Sequence, residues 1–79
     1  MDKADEREVL QNPKVILGIV TSESIGRGPS STYYKYTVDS MTYFSYDKKV
    51  EGKQIGDSVL VVYSTSSPKK SFLHPSNYQ

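Results

Sequence analysis

The chain has no cysteine, no tryptophan and a single histidine, and each shortage closes off chemistry. Without Cys there is no disulfide framework, no thiolate zinc site and no cysteine nucleophile. One imidazole, His74, leaves one candidate for metal ligation or a catalytic triad. Both need partner side chains converging on it, and its position beside Pro75 near the C-terminal end reads as an exposed terminal residue. No apolar run approaches the roughly 20 residues of a membrane-spanning helix. Charge of one sign is also missing: ten Lys and Arg against nine Asp and Glu give a formal +1. That is neither the basic excess of a phosphate-backbone binder nor the acidic excess of a solvating tail.

What is present describes one small domain. Seventy-nine residues are about half a typical domain, and only 18 are Val, Ile, Leu or Phe. Seven Tyr make up part of the deficit, since each offers a large apolar ring with a hydroxyl that can stay wet. A chain of this size buries roughly 60% of its unfolded surface, so its sheet must close efficiently or lean on a partner.

Residues 1–13 (MDKADEREVLQNP) form a charged leader, read as a short helix with acids at its N-terminal end or as a disordered segment. It lacks the basic and apolar regions of a signal peptide, and a junction left after removal of an anchor is an equal alternative. Lys14–Glu23 is apolar at nearly every position from Val15 to Val20 and rich in β-branched residues. With no polar face, it predicts a central strand buried on both sides, and Gly18 marks a bend or a close backbone approach. Ser24–Thr32 is a loop by composition. Its Gly26-x-Gly28 is no phosphate cradle, because no Lys-Ser/Thr follows and Pro29 opens no helix.

Tyr33–Val38 and Met41–Tyr46 predict a hairpin around Asp39-Ser40. In that register Val38 faces Met41, Tyr36 faces Tyr43 and Tyr34 faces Ser45 on a core side. Thr37 with Thr42, Lys35 with Phe44 and Tyr33 with Tyr46 form the other. Ser40 suits the positive φ of a two-residue turn poorly, so a one-residue slip is the competing register. In Asp47–Asp57, Val50 and Ile55 are isolated apolar residues expected to plug the core. Ser58–Ser64 is a second strand apolar on both faces. Pro68 turns the chain into a last strand, Ser71–His74, stopped by Pro75, and residues 75–79 are expected to fray. The fold class is therefore all-β: a single domain over residues 14–74, five strands in a partly open barrel or strongly curled antiparallel sheet of OB/SH3-like size.

The order of pieces carries a resemblance. An opening Val-x-x-Gly-x-Val (Val15–Val20) precedes the Tyr-rich strand, the tight turn and a second aromatic strand. Then comes GDSVLVVYSTSSPKKSFL, from Gly56 to Leu73. This resembles a family of small bacterial β-domains of unknown function, of the type Gly-Asp-x-Val-x-Val-x-Tyr-x4-Pro, over about residues 15–73. Where such domains carry Gly in the hairpin turn, this chain has Ser40. The family often sits beside a membrane helix or lipoprotein-type leader, so the resemblance implies a bacterial envelope or secreted setting. It implies no catalytic residues and no cofactor.

The barrel of such a fold is filled by side chains, which leaves no cleft for paired carboxylates. The 17 Ser and Thr read as solvated strand faces. The chain is expected to be no enzyme and to bind no metal or cofactor. The candidate binding residues are Tyr33, Lys35, Phe44 and Tyr46, aromatics interleaved with a lysine on one strand face. Lys48, Lys49, Lys53, Lys69 and Lys70 add nearby positive charge. Two functions follow: an interaction module contacting protein or its own copies through strand edges or the Tyr face, or a small oligonucleotide-binding barrel stacking bases on Tyr and Phe.

Overall fold

The computed structural model describes residues 11–24 and 30–78. Five antiparallel strands, β1 (Pro13–Ser24), β2 (Ser31–Val38), β3 (Met41–Lys48), β4 (Ser58–Ser64) and β5 (Ser71–Leu73), make one sheet in the order β3-β2-β1-β4-β5. The sheet is a strongly curled half-barrel. The leader through Leu10 and the Gly26-x-Gly28 loop lie outside the described residues.

The hairpin adopts the alternation-predicted register: Val38↔Met41, Tyr36↔Tyr43, Tyr34↔Ser45 and Tyr33↔Tyr46. Asp39 (φ 50°) and Ser40 (φ 68°) both take left-handed backbone, the signature of a type I′ turn, so Ser40 bears the strain usually left to glycine. β1 is long because it serves two partners. Its first half pairs with β4 and its second with β2, and Ile19 pairs with both Lys35 and Ser58. A bulge between Val20 and Ser22 shifts the register where the strand changes partner. At that bend the backbones crowd: a Cβ on Gly18 would lie 2.7 Å from the Lys35 carbonyl oxygen and 2.9 Å from Val61 Cγ2.

The concave side is the core, built from Val20, Tyr34, Tyr36, Val38, Val50, Val59, Val61, Tyr63 and Leu73, with Ile16, Tyr43 and Tyr78 packed against it. Tyr36 is its hub, stacked 5.6 Å from the Tyr43 ring and 6.2 Å from that of Tyr63. Val50 enters from the β3–β4 connection and is fully buried, its N–H donating to Thr32 Oγ1 at 2.9 Å. Gly56 (φ 95°) and Asp57 then turn the chain into β4. The Asp57 carboxylate accepts the Gln54 N–H at 2.8 Å, and Val20 exchanges backbone bonds with residues 56 and 57. Pro68 sits at the first corner of the next turn, closed by Lys70 N–H to Ser67 O.

Three expectations need correction. β1 is central but not buried on both sides: Val15, Leu17 and Ile19 are exposed on its convex face. β4, the other all-apolar stretch, is covered along most of its length, with Val62 buried and Leu60 partly so. Ile55 is 68% exposed and plugs nothing. Met41 lies on the core side of β3 but beside the turn, and is exposed. Pro75–Tyr78 forms a 3-10 turn, its Asn77 side chain bracketing Leu60 through N–H and C=O at 3.1 and 2.8 Å.

Side chains close the gap between the outermost strands. Asp47 on β3 accepts the Leu73 N–H of β5 at 2.9 Å, Tyr34 meets Ser71 Oγ at 2.9 Å, and Tyr78 donates to the Lys48 carbonyl at 2.7 Å. Burial pushes the Tyr34 hydroxyl from its ordinary value near 10 up to about 12, partly opposed by hydrogen bonds to Ser71 and Ser45. Burial raises Tyr36 and Tyr78 as well. Between these values the unfolded chain has already released the proton that the folded one keeps. The contribution of Tyr34 is therefore complete below pH 10 and lost as pH climbs through about 12, a fall of up to roughly 3 kcal/mol. Urea midpoints taken at intervals from pH 9 to about 12 should decline over this window, and a flat series would contradict the burial of that hydroxyl.

Candidate interaction face

All four predicted binding residues come together on the convex side. Tyr33 and Lys35 project there from β2, Phe44 and Tyr46 from β3, as the period of two requires once Tyr34 and Tyr36 are inside. Phe44 is 71% exposed and Tyr46 56%. Tyr33 and Tyr46, directly opposed, hold their ring centres 5.3 Å apart at a 33° tilt. Lys35 stands opposite Phe44 on one side and Ile19 on the other.

The patch extends further than the sequence suggested. Ile19, Leu17 and Val15 continue it along β1, so aromatic and aliphatic side chains share one solvent-facing surface. Periodicity hid this, because an all-apolar strand does not say which of its faces is covered. An open groove of about 270 Å³ crosses the patch, lined by Tyr33, Phe44 and Tyr46 together with Thr21, Tyr34 and Ser45. Thr21 reaches it through the β1 bulge, which leaves no mark in the residue pattern.

The Lys48 ammonium lies over the Tyr78 ring, 4.7 Å from its centre. His74 stands away from the patch, its Nδ1 accepting the Ser76 N–H at 3.0 Å and lying 2.8 Å from the Ser76 hydroxyl, a local turn contact. Among the described residues, no three His, Asp or Glu side chains lie close enough together to hold a metal ion, and no helix is long and apolar enough to cross a membrane. Compared with family models, curated proteins and solved structures, the chain matches none significantly.

What this surface can do is bind. Exposed aromatic rings present large contact area with few rotatable bonds, and a contiguous apolar patch on so small a domain is the usual mark of an interaction site. Its single cation supplies orientation rather than a field.

Proposed function

We propose that the domain is a non-enzymatic interaction module that contacts protein through the Tyr33, Lys35, Phe44 and Tyr46 face and the strand edge beside it. One observation carries the reading: Phe44, Tyr46 and Tyr33 are exposed together and continuous with Val15, Leu17 and Ile19. The resemblance of Gly56–Leu73 to small bacterial β-domains found beside anchors supports a setting in the bacterial envelope. A second reading rests on the groove: stacked Tyr33 and Tyr46 beside Lys35 form a platform on which a single-stranded oligonucleotide can lay its bases. The near-neutral chain favours the first.

A photo-crosslinking phenylalanine analogue at position 44, in bacterial cells expressing the full chain, tests the proposal. Protein adducts are expected at position 44 and not at the equally exposed Ile55 of the β3–β4 connection. The absence of any excess at 44, together with salt-sensitive quenching of tyrosine emission by a mixed single-stranded oligomer, would replace the first reading with the second.

A further inference from the structure

Among the described residues, β3 has a neighbouring strand on one side only. Its hydrogen-bonding groups follow from the turn: a two-residue loop makes Val38 and Met41 a hydrogen-bonded pair, and pairs then alternate along the ladder. Tyr43 and Ser45 therefore spend their N–H and C=O groups on β2, while Thr42, Phe44, Tyr46 and Lys48 aim theirs away from it. The Lys48 carbonyl shows this, for it takes the Tyr78 hydroxyl from outside the sheet. Among the described residues, the corresponding groups of Thr42, Phe44 and Tyr46 have no partner.

Sheet edges are normally guarded by charge, proline, brevity or a covering element. The opposite edge is guarded in this way: β5 is three residues long, with Lys69 and Lys70 before it and Pro75 after it. Among the described residues, β3 has none of these guards from Met41 to Tyr46 (MTYFSY), six uncharged residues rich in β-formers. A strand so exposed is a template for another strand.

We infer that β3 pairs antiparallel with β3 of a second copy across a two-fold axis at Phe44. This rests on the reading of the domain as an interaction module and names its partner. The three outward residues are self-complementary in that register. Phe44 exchanges both backbone bonds with its own copy, and Thr42 and Tyr46 exchange theirs with the copy's Tyr46 and Thr42. The two Phe44 rings meet on the convex side, each Tyr46 crosses to a Thr42, and the aromatic patches join. Charge agrees with the register. Lys48 and Lys49 of one copy come alongside Ser40 and Asp39 of the other, at both ends by symmetry, and no like charges are opposed. The bond from Tyr78 to Lys48 lies beyond the paired stretch and stays intact.

Sedimentation velocity of the full chain over a wide concentration range should show a monomer–dimer equilibrium. Phe44→Lys and Phe44→Glu, at a side chain that is 71% exposed, each place like charges at the axis and should each raise the dissociation constant roughly tenfold or more. An equimolar mixture of the two should restore dimer, since opposite charges then meet. A dimer indifferent to both substitutions, or a mixture that stays monomeric, overturns the pairing. Amide exchange on the unaltered protein is independent of variant folding: Thr42, Phe44 and Tyr46 should gain protection on concentration, and equal rates in dilute and concentrated samples overturn the inference. A strictly monomeric chain that still gives adducts to other proteins from position 44 refutes this partner and keeps the broader reading. Loss of both refutes the two together.

Discussion

Replacing Gly18 with alanine is expected to remove most or all of the domain's stability. The new methyl would sit 2.7 Å from the Lys35 carbonyl oxygen and 2.9 Å from Val61 Cγ2, and the nearer atom is backbone in a neighbouring strand. Relief requires moving β2 away from β1 where Ile19 must still pair with Lys35 and Ser58. Inserting bulk into a packed site costs about 1–3 kcal/mol, and a backbone clash belongs at the upper end or beyond. A domain of this length has roughly 4–12 kcal/mol in total, and a small single core sits low in that range. Urea unfolding followed by far-ultraviolet circular dichroism should show a midpoint far below that of the parent, or no folded baseline. A change under about 0.5 kcal/mol, the usual limit for a harmless surface substitution, would mean the crossing is looser than the geometry here.

Tyr34→Ala is the other change of this size. Its ring is wholly buried, 6.0 Å from that of Tyr36, and its hydroxyl ties β2 to Ser71 on the far side of the half-barrel. Truncating a buried aromatic costs about 3–5 kcal/mol. Leaving the buried Ser71 hydroxyl without its partner adds roughly 1–3 kcal/mol. Together these reach the whole stability of the domain. Tyr34→Phe separates the two effects: it keeps the ring, loses only the hydroxyl, and should cost about 1–2 kcal/mol. It should also lessen the decline in stability above pH 10, because one of the three hydroxyls that titrate late is gone. A Phe variant as damaged as the Ala variant would place the weight on the hydrogen bond rather than the ring.

The hairpin was legible in the sequence because its two strands alternate. Tyr34, Tyr36 and Val38 sort from Tyr33, Lys35 and Thr37 by period alone, and their partners follow once the turn is placed at Asp39-Ser40. The same alternation is enough to put Tyr33, Lys35, Phe44 and Tyr46 on one face. β1 resisted this treatment. Val15, Leu17 and Ile19 are as apolar as Ile16 and Val20, so the residue pattern holds no information about which set meets solvent. Val50 and Ile55 look alike in a polar connection; only the path of the chain, fixed by the bond from Val50 N–H to Thr32, decides that the first is buried. The roles of Asp47 and Tyr78 were invisible for a related reason, since each acts on a strand 26 or 30 residues away.

The C-terminal strand joins its neighbour through only three residue pairs, Val61↔Leu73, Val62↔Phe72 and Tyr63↔Ser71, while β1 runs through the middle of the sheet with a partner on each side. Tension applied to the two ends of the domain would therefore be shared unequally. At the C-terminal end the load meets a short edge ladder and a handful of side-chain clasps, which give way in succession. The centre of the sheet would hold while that end peels away, making the domain a soft spring on one side and a stiff one on the other.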